Sequence, residues 1–253
     1  MPLKSKMPLQ VWILALAAFA IGTAEFVIAG ILPEVASSLR ITEGQAGNLI
    51  TAYALTIVVA GPILTLWLAR FEKRNVLIGL TALFIAGNLI GAVTTDYSVL
   101  LISRVIAGLA QGPFFGIGAV VATKLVSDKL AGQAVGQMFA GLTLANVLGV
   151  PAGTWIGNSL GWNMTFLVIS ALGVITAAAV AAFVPVQGRD RSAPSIRGQL
   201  SAFNDRNLIA SLAITVSWTS ARNLLDRALR TGRANGLPFL PLAKIANRSL
   251  RVL

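Results

Sequence analysis

The chain has 253 residues, of which 56% are hydrophobic and only 11% charged, with a mean hydropathy of +0.79; an ordinary soluble domain carries roughly 25% charged residues to wet its surface. Cys and His are absent, which excludes a disulfide framework, a thiol nucleophile and imidazole acid–base chemistry, argues against a transition-metal site, and leaves no metal or organic cofactor expected. The net charge of +11 falls in short loops between apolar spans rather than in a basic groove with interleaved aromatics, so nucleic acid is not an expected partner.

A helix needs about 20 apolar residues to cross the hydrocarbon core, and lipid offers a backbone amide no partner outside its own helix. The apolar runs predict spans at 11–32, 46–68, 76–94, 99–122, 134–157 and 163–186. Thr42, Asp96 and the Ser127-Asp128 pair stand where helix N-caps belong. The expected fold is all-α: a polytopic membrane bundle of six transmembrane helices over residues 1–186. A secretory signal peptide is the other reading of residues 1–32, but the long apolar stretch and the spans that follow favour an uncleaved first helix.

Lys4 and Lys6 precede the first span, Arg70, Lys73 and Arg74 follow the second, Lys124 and Lys129 the fourth, and Arg189, Arg191 and Arg197 the sixth. The alternate loops hold Arg40 alone, with Glu34, Glu43 and Asp96. By the positive-inside rule the N-terminus and the exits of the even-numbered spans face the cytoplasm.

The first three spans and the next three share a layout. Gly47 and Pro62 in the second span are separated as Gly136 and Pro151 are in the fifth. These two spans run in opposite directions, so the repeat is inverted, an arrangement common in secondary transporters.

Glu25 and Arg104 are the charges deep inside spans, each costing roughly 2.5–3.5 kcal/mol at a helix centre. At ~1.5 Å per residue they sit at similar depth in spans one and four, within reach of an ion pair. Such a pair would serve proton coupling or substrate binding, or it would lock the two helices together. Thr23, Asn48, Tyr53, Asn88, Gln111, Gln137 and Asn146 also lie in spans; some should line a polar cavity and others bond between helices. Gly108, Gly112 and Gly116 recur every four residues, a stripe that lets a neighbouring backbone approach closely, and Gly141, Gly149, Gly153 and Gly157 mark the fifth span.

Three stretches resemble the major facilitator superfamily, in particular its drug:proton antiporter-like efflux branch. Residues 20–28, Ala-Ile-Gly-Thr-Ala-Glu-Phe-Val-Ile, followed by Leu32-Pro33-Glu34, look like that branch's first helix. Residues 104–112, Arg-Val-Ile-Ala-Gly-Leu-Ala-Gln-Gly, look like the family's Arg-centred motif, implicated in proton coupling. Gly149-Val-Pro-Ala-Gly153 resembles the antiporter motif, in which Gly149, Pro151 and Gly153 would bend the helix and seal the pathway. The resemblance covers about residues 8–205. In the loop motif Arg70, Lys73 and Arg74 match, but Ala69 stands where the family has an acid, and Glu72 is the nearby substitute. The resemblance implies half of a major facilitator fold, alternating access, efflux of a drug, purine nucleoside or sugar driven by protons, and a bacterial inner membrane. Substrate, protons and the bilayer are the expected partners.

Family members have two six-helix halves. Here residues 187–205 look like the linker between halves, and 207–217 like the start of a seventh span at about half the crossing length. Residues 218–253 then carry Arg222, Arg227, Arg230, Arg233, Lys244, Arg248 and Arg251 against one acid, Asp226. Within 206–253, two readings of the tail 218–253 stand: a shifted reading frame that truncates the transporter, or a basic amphipathic segment on anionic lipid. The change falls in mid-helix, which favours truncation. A half-transporter would work only with a second copy of itself; a non-transporting scaffold or inactive fragment is the alternative. An intramembrane enzyme lacks the paired carboxylates, His or Cys it would need.

Overall fold

A computed structural model describes residues 7–187 and the isolated Ser217. The linker and tail expected over 187–253 therefore lie outside the described residues, Gln187 and Ser217 apart. Among the described residues, six helical segments are long and apolar enough to cross a membrane: Leu9–Gly30, Glu43–Leu68, Lys73–Val93, Tyr97–Lys124, Asp128–Leu160 and Trp162–Phe183. Large apolar side chains such as Val58, Ile63, Val93, Trp155 and Leu160 stand exposed on the outside, as a lipid-facing surface requires. The chain is an all-α polytopic membrane bundle.

The helix starts follow from local chemistry. Helix α1 (Leu9–Gly30) stops earlier than the predicted 32, because Pro33 has no N–H to donate to the Ala29 carbonyl. Instead Pro33 occupies the first turn of a short, unforeseen helix α2 (Leu32–Leu39), which ends at Arg40 in the left-handed conformation, φ 53°. Helix α3 (Glu43–Leu68) opens on a capping box: Gln45 N–H donates to Thr42 Oγ1 at 3.2 Å, and Thr42 N–H donates to Gln45 Oε1 at 3.0 Å. Helix α4 (Lys73–Val93) is capped by Glu72, whose carboxylate accepts from Arg74 N–H at 3.0 Å and Asn75 N–H at 2.8 Å. Helix α5 (Tyr97–Lys124) is capped by Asp96, which accepts from Val99 N–H at 3.0 Å.

The Ser127-Asp128 pair departs from expectation. Ser127 precedes a 3-10 turn, Asp128–Leu130, and makes no side-chain cap. The fifth span then divides into α6 (Ala131–Leu144), a π turn (Ala145–Gly149) and α7 (Val150–Leu160). The Pro151 ring excludes the regular bond to the Val147 carbonyl, which lies inside the π turn. Helix α8 (Trp162–Phe183) ends three residues before the predicted 186, ahead of Pro185.

Two seams of small residues set the packing. Along α3 and α5, a Cβ on Gly112 would stand 2.7 Å from the Gly61 Cα, and one on Gly116 2.9 Å from Thr65 Cγ2. Along α1 and the fifth span, a Cβ on Gly141 would collide with the Ala15 backbone, one on Gly149 with Thr23, and one on Gly153 would lie 2.6 Å from Val27 Cγ2. The second helix of each three-helix set thus packs on the first helix of the other, while α4 and α8 pack on each other. The Gly108–Gly116 stripe serves the close approach its spacing predicts.

Candidate functional site

Helices α1, α3 and α5 converge on Arg104, which is 1% exposed. Its guanidinium carbon stands 4.2 Å from the centroid of the Tyr53 ring and 5.6 Å from that of Phe166. One terminal nitrogen, Nη2, donates to the Ala24 carbonyl at 2.8 Å, while Nε and Nη1 have no hydrogen-bond partner. A guanidinium stripped of water is therefore held by aromatic faces and one carbonyl dipole.

Glu25 and Arg104, expected at similar depth, belong to one cluster but share no direct hydrogen bond. Arg104 bonds instead to the backbone of Ala24, the residue before Glu25. Two neutral groups join the charges: Gln111 Nε2 donates to Glu25 Oε2 at 2.6 Å, and Tyr53 Oη donates to Gln111 Oε1 at 2.6 Å. Tyr53 and Gln111 are buried, whereas Glu25 is half-buried. The result is a continuous line from a partly accessible carboxyl to an enclosed cation: Glu25, Gln111, Tyr53, Arg104. Depth along each helix could be counted from the sequence, but azimuth could not, and azimuth puts the guanidinium on Tyr53. Phe166 and the Ala24 carbonyl carried no sequence signal that singled them out.

The other candidates scatter. Asn88 is buried, donates to the Phe84 carbonyl at 2.8 Å, and leaves Oδ1 without a partner. Asn48 is exposed and reaches the Tyr97 hydroxyl at 3.5 Å. Asn146 is exposed and bonds within its own helix, to the Leu142 carbonyl at 3.1 Å. Thr23 likewise bonds back to the Phe19 carbonyl at 2.8 Å, and Gln137 is half-buried. Gly149 is the last residue of the π turn, Pro151 and Gly153 follow it in α7, and Thr165 Oγ1 donates to the Gly153 carbonyl at 2.8 Å.

In the basic loop, Arg70 is exposed and stacks on Trp67 and Phe71, its guanidinium carbon 5.1 and 5.6 Å from their ring centroids. Lys73 is buried and donates to the Ala69 carbonyl at 3.1 Å, and Arg74 donates to the Ala181 carbonyl. Glu72, the nearby acid, is engaged here by backbone amides. Its carboxylate accepts from the Arg74, Asn75 and Gln187 backbone amides, the last at 3.0 Å, so it fastens the chain leaving α8 to the start of α4. Partial burial pushes this carboxyl up, but the three amides and the Arg74 charge outweigh that and hold it below the usual range.

Comparisons place these features among known proteins. The chain is 40% identical over 203 residues to the inner membrane transport protein YdhP of Escherichia coli (strain K12), covering 80% of this chain and 52% of that protein. It is 34% identical over 212 residues to the chloramphenicol resistance protein of Streptomyces lividans, covering 82% and 54%. The chain thus spans about half the length of the curated relatives it matches. Among solved structures, a bacterial homologue of the human lysosomal transporter Spinster shares the fold, with a TM-score of 0.61 at 15% identity over 73% of this chain and 45% of that one. A peptide transporter, POT, gives 0.62 at 15% identity over 85% and 46%. The model of the Major Facilitator Superfamily matches residues 14–243, beyond residue 205 where the recognised motifs end; the chain belongs to that superfamily.

Proposed function

We propose that this chain is part of a proton-coupled efflux transporter of the bacterial inner membrane, with its N-terminus in the cytoplasm. The observation that carries the reading is the line from Glu25 through Gln111 and Tyr53 to Arg104. A carboxyl that gains or loses a proton changes what Gln111 must satisfy, and Tyr53 passes that change to a cation lodged between α1, α3 and α5. Alternating access couples this event to a small substrate, with the π turn before Pro151 as the flexing point of the fifth span. Relatives named for chloramphenicol resistance and, as a probable sugar efflux transporter, for sugar efflux favour the outward direction.

A path of this type runs between two six-helix bundles. The described residues form one, and the other comes from outside them. The test is flux in proteoliposomes under an imposed proton gradient. Uptake or release of a drug, nucleoside or sugar panel should need the gradient and should vanish in Glu25→Gln and Arg104→Ala. A purified, helical wild-type chain with no flux for any of them, whatever its oligomeric state, would instead identify a non-transporting scaffold or inactive fragment.

A further inference from the structure

We propose that the basic end of α3 and α4 holds a specific anionic phospholipid. An apolar groove of about 460 Å³ runs between α3 and α4, from Trp67 and Phe71 down to Leu83, with Leu109 of α5 at its back. Eight residues separate Asn75 from Leu83, about 12 Å of helix, most of the ~15 Å of hydrocarbon in one leaflet. Trp67 is 48% exposed, so the groove opens outward to lipid, and a bilayer leaves no such space empty.

The internal repeat supplies a control. In the register that sets Gly47 on Gly136 and Pro62 on Pro151, this groove falls on a second one, between α1, α7 and α8. Leu64, Trp67, Val76, Leu80 and Leu83 correspond to Gly153, Ile156, Thr165, Ile169 and Leu172, all of which line the second groove. The second holds only about 190 Å³. One difference lies at its floor: Val168 stands where the first groove has Gly79, and a Cβ on Gly79 would meet nothing within 4 Å. A glycine inside a helix is unfavourable by about 1 kcal/mol against alanine, and no packing partner here requires it. It keeps the groove open.

The second difference is charge. Arg70 stands at the mouth of the wide groove, its guanidinium carbon over the Trp67 and Phe71 rings, with Nε donating to the Trp67 carbonyl at 2.8 Å. That leaves its two terminal amino groups for a phosphate diester, the fork geometry arginine favours. Ser159 holds the equivalent position in the other repeat and carries no charge. Of the neighbouring charges, Lys73 and Arg74 are turned to backbone carbonyls and Glu72 to backbone amides. The chain's own residues 218–253, with seven basic side chains against one acid, have the wrong sign for this mouth. An acyl chain along Gly79 with its phosphate on Arg70 satisfies both features. The anionic leaflet is the cytoplasmic one; that assignment rests on the orientation proposed above, whereas binding in detergent does not depend on it.

The test is native mass spectrometry of the full chain in detergent, with phosphatidylglycerol and phosphatidylcholine of matched acyl chains. Wild type should retain phosphatidylglycerol about five-fold better, the scale of one basic residue at an anionic surface. Gly79→Val should lower retention of both lipids, Arg70→Gln should remove the preference while leaving retention of phosphatidylcholine, and Val168→Leu in the opposite groove should change neither. Unaltered retention in Gly79→Val, a preference that survives Arg70→Gln, or an equal loss in Val168→Leu each overturns the proposal. Arg70 is exposed, so its variant remains informative even where Gly79→Val folds poorly.

Discussion

The Tyr53 hydroxyl donates to Gln111 Oε1 at 2.6 Å across the α3–α5 seam, while the face of the same ring lies 4.2 Å from the Arg104 guanidinium carbon. One side chain thus performs two separable tasks, and substitution can divide them. Tyr53→Phe keeps the ring on Arg104 and leaves a buried amide oxygen without its donor, a loss of about 1–3 kcal/mol. Tyr53→Ala removes both and should cost about 3–5 kcal/mol. Thermal unfolding in detergent should rank wild type above Phe above Ala; equal melting of Phe and wild type would remove the hydroxyl from the account.

Arg104→Lys tests whether charge alone suffices. Lysine keeps the cation but loses the planar group that lies on Tyr53 and reaches Ala24. Gradient-driven flux should fall at least as far as in Tyr53→Phe, with helicity unchanged by circular dichroism. Flux at the wild-type rate would reduce Arg104 to a positive charge.

The glycines divide into two kinds. Gly112→Val drives a side chain into the Gly61 backbone, 2.7 Å from where its Cβ would stand, and should destabilise by about 1–3 kcal/mol. A Cβ on Gly47 or Gly136 meets nothing within 4 Å, so alanine there should be neutral or stabilising by up to about 1 kcal/mol. Melting temperatures of the three variants, moving in these opposite directions, check the assignment of the seam.

Glu72 carries a pH dependence. Its carboxyl is held below the ordinary range, so its contribution is complete above the unfolded value of about 4.3 and is lost as pH falls through the lower folded value. The melting-temperature gap between wild type and Glu72→Gln should therefore be widest at neutral pH and close below pH 4. A gap that widens on acidification would reverse the sign and refute the clamp to Arg74, Asn75 and Gln187.

The sequence located the spans within a few residues because lipid enforces a length and forbids unpaired backbone, and both constraints are local. Thr42 and Asp96 were legible as caps for the same reason: a side-chain acceptor meets amides two or three residues along. Glu72 was harder to read, because its third partner, Gln187, is distant in sequence. The break at Pro33 required knowing whether a neighbouring helix would tolerate a gap in the bonding ladder, which the sequence does not carry; near Pro151 the motif implied a bend, but not that it would take the form of a π turn over Ala145–Gly149.

Composition, apolar run length and the placement of Lys and Arg determined that this is a bundle of membrane-crossing helices, because transfer of side chains between water and oil is additive along the chain. The tertiary structure alone decided that Glu25 and Arg104 meet through Gln111 and Tyr53 rather than directly. That outcome depends on how each helix is rotated about its axis, and the rotation is set by the glycine seams of α3 with α5 and of α1 with the fifth span, where contact between distant segments fixes the angle.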